Sequence, residues 1–260
     1  MLPLLIRAEA LRITDSSRGG SSALRSAALE YSLAGNTNIR IDRMSAQQTG
    51  MLIPQNTVDI AVFEIRDLPE KLKNAPKIFL GAEVVLIYVN NSNPITGITS
   101  EKAAKIFSEL RPRWSEYGGS SRTIHRFNLK NTADHAGLDR DLFNASAAAE
   151  VFGLQHASDV VRMVSANPEA MGFAHFSELN SSVKILPVDG ISPKLENICD
   201  GSYPLARRYV LVTIKNSAEA EKFVDFFRKD IKKRVSKDMW LLPEENLSKQ
   251  VQDNNRRKEK

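Results

Sequence analysis

The sequence is poor in the groups that carry covalent and metal chemistry. It holds one cysteine, Cys199, so no disulfide can close within the chain. Its four histidines, at 125, 135, 156 and 175, fall at no metal-ligand spacing. There is no Gly-x-Ser-x-Gly elbow, no P-loop and no His-Glu-x-x-His pair. Cys199 stands beside Asp200 with no evident histidine partner. These absences argue against an enzyme and leave no cofactor or metal to expect. No apolar run approaches the ~20 residues that a membrane-spanning helix needs. Aromatic residues make up 7%, and no basic stripe is interleaved with them as a nucleic-acid groove requires.

What is present is an ordinary globular composition, 42% apolar and 26% charged. The length of 260 residues suits one large domain or two medium ones. The net charge of +5 is uneven, because residues 228–238 carry +4 and residues 246–260 carry +3, which leaves the remainder at −2. A basic end on a near-neutral body is not a nucleic-acid footprint. Residues 246–260 read as a charged, solvated tail. Residues 1–10 read in two ways. Met1-Leu2-Pro3-Leu4-Leu5-Ile6 with Ala8-Glu9-Ala10 fits the end of a signal peptide, or residues 1–14 form a single first strand.

Strand and helix patterns alternate. Strands are expected at 11–14, 38–41, 58–63 and 77–89, then at 123–127, 171–174, 183–188 and 209–214. Helices are expected at 20–33, in a short stretch within 46–54, from Thr99 or Ser100, at 134–142, 146–152 and 158–166, and at 218–228. Thr99 or Ser100 can cap the third of these, and Ala103, Ile106, Phe107 and Leu110 give it an apolar face. The helix at 158–166 ends at Asn167-Pro168, since proline disfavours helix in the residue before it. The alternation predicts an α/β fold with a mostly parallel sheet.

Three stretches carry a resemblance. The first is the strand Val84 to Val89, an Asn-Pro turn, a helix and Arg113-Trp114-Ser115-Glu116-Tyr117-Gly118-Gly119. The second is Val161 to Phe173, with Asn167-Pro168-Glu169-Ala170-Met171-Gly172-Phe173. The third is Pro187-Val188-Asp189-Gly190-Ile191-Ser192-Pro193 followed by Gly201-Ser202-Tyr203-Pro204-Leu205-Ala206-Arg207. Together they resemble the phosphate-binding proteins of bacterial ABC transporters, over roughly residues 11–245. The resemblance implies a two-lobed type 2 periplasmic-binding-protein fold with mixed, mostly parallel sheets flanked by helices and two hinge strands. Lobe 1 would comprise residues 11–84 and 206–245, and lobe 2 residues 88–203.

It also implies ligands. The family's first turn falls on Asp15-Ser16-Ser17-Arg18, where Ser16 and Ser17 supply hydroxyls or simply cap a helix, and Arg18 replaces a threonine. The second loop falls on Ser45 to Gly50, with Thr49 as a donor. The family's aspartate position carries Glu64, which would accept a proton from the anion or pair with Arg66. The Arg-x-x-Gly-Ser-Gly-Thr element falls on Arg126 to Thr132, keeping Arg126 and Thr132, with Lys130 in place of the serine and the glycines lost. Such a site works because helix amino ends, hydroxyls and an arginine replace the water around a tetrahedral anion. The implied protein is a monomeric, periplasmic or secreted receptor that hands phosphate or a related oxyanion to an ABC permease. A sensing or protein-interaction module on the same scaffold is the alternative that the degraded loop suggests.

Overall fold

The computed structural model describes residues 10–17, 21–35, 37–129, 151–175, 182–215, 217–229, 231 and 239–240. The chain divides into two compact units. The first comprises Met1–Gly81, Arg208–Ser236 and Pro243–Lys260, and the second Ala82–Arg207 with Lys237–Leu242. Two strands, β4 (Lys77–Asn90) and β9 (Ala206–Thr213), each carry the chain from one unit into the other. Residues 239 and 240 fall in the second unit, whereas the sequence places them in lobe 1. There β10 (Met239–Trp240) pairs antiparallel with Glu83 and Ala82.

In the first unit β1 (Leu11–Asp15) lies parallel to both β2 (Ile39–Arg43) and β3 (Ile60–Glu64), and β3 pairs antiparallel with β9. All five residues of β3 are buried, the pattern of a strand covered on both faces. Helix α1 (Ser22–Leu33) starts at Ser21, whose hydroxyl accepts the Leu24 amide at 3.0 Å. Its buried stripe is Ala23, Leu24, Ala27, Ala28 and Tyr31. The Tyr31 ring meets Phe223 and Phe226 of α6 (Ala218–Lys229) edge-on, at centroid distances of 5.4 and 5.2 Å. Helix α2 (Ala46–Leu52) is closed by a reciprocal capping box between Ser45 and Gln48.

In the second unit β4 pairs antiparallel with β7 (Ala170–His175) and β8 (Val183–Ile185), and β5 (His125–Leu129) runs parallel to β7 and to β6 (Phe152–Leu154). Val84 to Val89 are all buried, as the continuous apolar run requires. Helix α3 (Ser100–Ser108) buries Ala103, Ile106 and Phe107, and the Phe107 ring stands edge-on to Phe173 at 4.5 Å. Leu110 does not join that face and is 68% exposed. Glu109 turns to extended backbone, so the helix stops before the i+7 position is reached. Helix α4 (Ala157–Ala166) buries Val160, Val161 and Val164 and packs against β7. A Cβ built on Gly172 would come within 2.6 Å of Val160 and 2.8 Å of Val164, so this approach needs glycine. Helix α5 (Leu195–Asp200) lies just before β9. The helix expected at 134–142 lies outside the described residues. Most of the one at 146–152 does too, and Phe152 itself begins a strand.

Candidate functional site

In the first unit three strands that run in the same direction end side by side. In an open α/β sheet the crevice beyond such carboxyl ends is where ligands settle. Past β1 lie Ser16 and Ser17, past β2 lies the Ser45 cap of α2, and at the end of β3 stands Glu64. The Ser16 amide and hydroxyl both donate to the Val62 carbonyl, at 3.2 and 2.6 Å, which holds the first loop against β3.

Asp15 organises that loop. It is 1% exposed. Its Oδ1 accepts the Ser17 amide at 2.9 Å and the Ser17 hydroxyl at 2.5 Å, and its Oδ2 accepts the Ser21 amide at 2.7 Å. A carboxylate of the protein therefore occupies donors at the amino end of α1 that the sequence reading offered to an external anion. Charge-assisted bonds of this kind contribute about 1.5–3 kcal/mol each, so an incoming anion must outcompete a partner already in place.

Glu64 is 8% exposed. Its Oε1 receives the Arg66 fork, Nε at 2.6 Å and Nη2 at 2.5 Å, so the expected pairing with Arg66 is formed. Thr49 sits inside α2 with no exposed surface, and its hydroxyl has no hydrogen-bond partner among the described residues. At that depth it is part of the packing beneath α2 rather than a group presented to solvent. Arg18, Lys130 and Thr132 lie outside the described residues.

Arg126, in the second unit, has a different task from the one expected. It is 2% exposed. Its Nη1 donates to the carbonyls of Ile106, at 2.8 Å, and Glu109, and its Nη2 to that of Leu110 at 2.9 Å. These carbonyls close the carboxyl end of α3, where backbone acceptors lack helical partners and positive charge is favoured. The guanidinium thus works as a helix cap, and this replaces the reading of Arg126 as an anion clamp.

With this geometry in view, comparison with known proteins places the fold. The model of the PBP superfamily domain matches residues 9–230. The chain belongs to the PBP superfamily. The phosphate-binding protein PstS of Bacillus subtilis (strain 168) is 25% identical to it over 159 residues, which is 60% of this chain and 53% of that protein. The chain therefore matches about half the length of that relative. Phosphate-binding protein PstS 2 of Streptococcus agalactiae serotype V is 37% identical over 89 residues, 34% of this chain and 29% of its own. Among solved structures, PstS from Borrelia burgdorferi superposes with a TM-score of 0.67 at 21% identity, covering 87% of this chain and 97% of that one. An ABC-type phosphate transport receptor from Vibrio cholerae gives 0.65 at 19%, covering 90% and 100%. These neighbours have the type 2 periplasmic-binding-protein fold, with a mixed sheet flanked by helices.

In this PBP superfamily member the stretches that carried the resemblance hold the scaffold. Trp114 is 1% exposed and donates from Nε1 to the Glu169 carbonyl at 3.1 Å. Gly119 passes so near Trp114 that a Cβ there would lie 2.8 Å from the Trp114 Cβ. Asp189, at φ 51°, accepts the Ser100 amide at 2.8 Å and the Ser100 hydroxyl at 2.5 Å, and so anchors the amino end of α3. Tyr203 donates its hydroxyl to the Val85 carbonyl at 2.9 Å. Asn90, at the end of β4, donates to the carbonyls of Val164 and Ser165 at 3.1 and 2.8 Å and closes α4.

Sequence reasoning missed Asp15, Asn90 and Asp189. Asp15 had a signal, because an Asp followed by two serines after a strand favours an Asx turn. The contacts of Asn90 and Asp189 join residues 74 to 89 positions apart, and no local pattern carries them.

Proposed function

We propose that this PBP superfamily chain is an extracytoplasmic solute-binding protein that captures phosphate or a related oxyanion for an ABC transporter. The observation that carries the reading is the gathering of Ser16, Ser17 and Glu64 at adjacent strand ends on this scaffold. The PstS relatives support it. Hydroxyls and helix amides supply donors, and the Glu64 carboxylate supplies an acceptor for a proton-bearing anion. The role is binding and release, not catalysis. No described helix is long and apolar enough to cross a membrane.

A second reading rests on Asp15 and Arg126. Both are engaged inside the protein, and a sensing or protein-interaction module that has lost or changed anion binding would retain this arrangement.

Calorimetry separates the two. Under the first reading, titration with inorganic phosphate gives saturable one-to-one heat that Ser17→Ala and Glu64→Gln weaken. No heat with phosphate, arsenate, sulfate or molybdate rejects the first reading and leaves the second.

A further inference from the structure

A cavity of about 580 Å³ opens in the first unit, at the opposite end of the strands from Ser16 and Glu64. Arg12, Arg40, Asp59, Lys215, Ser217 and Glu219 are among its lining residues. Arg12 stands four residues before Ser16 on extended chain, about 13 Å away at ~3.3 Å per residue. The cavity is thus separate from the strand-end site. Its size is that of a small-molecule pocket, and a bare inorganic anion would leave most of it to water.

The wall carries three cations, Arg12, Arg40 and Lys215, against two carboxylates, Asp59 and Glu219. Arg12 pairs with Arg40 across the parallel β1–β2 ladder, so the two side chains leave the same face of the sheet from strands about 4.8 Å apart. Like charges so placed repel. Arg40 is answered by Asp42, whose Oδ1 accepts its Nε at 2.9 Å. Among the described residues, neither the Arg12 guanidinium nor the Lys215 ammonium has a carboxylate at ion-pair distance.

The two acids on the wall keep their charge, and Glu219 is answered by Lys222 at 3.6 Å. Asp59 accepts the Arg12 amide at 2.8 Å, and Glu219 accepts the hydroxyls of Thr37 and Tyr31 at 2.5 and 3.1 Å. The Asp59 carbonyl also accepts the Lys215 amide at 3.1 Å, so Asp59, just before β3, holds the backbones of both Arg12 and Lys215. Ser217, on the wall, caps α6 by accepting the Ala220 amide at 3.2 Å, and the first turn of that helix holds Glu219 and Glu221.

We propose that this cavity is a second ligand site. It takes a small organic molecule with two anionic groups, a dicarboxylate or a phosphomonoester, held by Arg12 and Lys215. Arginine suits a planar or tetrahedral oxyanion through its fork, and lysine adds a point charge.

Isothermal titration of the full chain with succinate, citrate and glycerol 3-phosphate, each beside inorganic phosphate, tests the assignment and separates the two chemistries. The expected result is one-to-one binding of at least one organic dianion, weakened at least tenfold by Arg12→Gln combined with Lys215→Gln. Any heat with inorganic phosphate stays unchanged in that variant. On the unsubstituted chain, titration with the same compounds should move the backbone amide signals of Arg12, Asp59 and Lys215 first. That measurement does not depend on the variant folding. No heat with any of the three organic compounds, an unweakened variant, or signal changes centred elsewhere would overturn the proposal. Failure of the phosphate titration alone would count only against the strand-end reading.

Discussion

The Asp15 carboxylate lies 2.7 Å from the Ser21 amide, six positions on, and so joins the end of β1 to the cap of α1. The same carboxylate holds the Ser17 amide and hydroxyl. It is therefore both the internal counterpart of an anion and the peg that shapes the loop.

Replacing Asp15 with alanine should leave buried donors unmatched. Each unsatisfied group costs about 1–3 kcal/mol, so the variant is expected to lose about 2 kcal/mol or more. Urea unfolding measures it. An unchanged midpoint would show that the loop is held by other contacts.

Arg126→Met should destabilise the protein with no anion present, because three carbonyls at the end of α3 lose their donor. The expected loss is about 2–4 kcal/mol. Arg126→Lys should recover only part of it, since an ammonium cannot reproduce the planar fork. If thermal melting in phosphate-free buffer shows no loss for Arg126→Met, the capping role fails.

Gly172→Ala pushes a methyl group against two stiff valines on α4. Overpacking of this kind costs about 1–3 kcal/mol. Adding Val160→Ala should return much of it, and a double-mutant cycle reads the coupling. Strictly additive effects would disprove the contact.

The Tyr31–Glu219 contact predicts opposite behaviour at the two ends of the pH scale. Burial, then the hydrogen bond and charge of Glu219, push the Tyr31 hydroxyl up to about 12. Its contribution is complete below the ordinary value of about 10 and fades as pH rises through the folded value. The Glu219 carboxyl is held below its ordinary range, first by the Thr37 hydroxyl. That contribution is present above about pH 4.3 and is lost as pH falls through the depressed value. Absorbance titration near 295 nm should place Tyr31 near 12, before the more deeply buried Tyr88 and Tyr203, and Glu219→Gln should bring it earlier while flattening the acid limb of stability. A Tyr31 that titrates near the ordinary value of about 10 would refute the contact.

Much of the architecture was legible because period and burial are local properties. Val84 to Val89 had to be a covered strand, and Ala103, Ile106 and Phe107 had to share a helix face. Glu64 and Arg66 stand two residues apart on a strand end, so their pairing could be anticipated too. Arg126 could not be placed in this way. Its type and its place in a family-like run suggested an anion clamp, yet the end of α3 lies 16 to 20 residues upstream, and only folding brings those carbonyls to the guanidinium.

The sequence by itself determined the alternation of strands and helices and membership of a recognisable scaffold. Those follow from side-chain periodicity and from residues conspicuous by type. Tertiary structure alone decided which donor meets which acceptor. Asp15 took the amides of α1, Arg126 took the carbonyls of α3, and Arg12 came to rest beside Arg40. A hydrogen bond depends on positions within a few tenths of an ångström between distant segments, and no local sequence pattern encodes them.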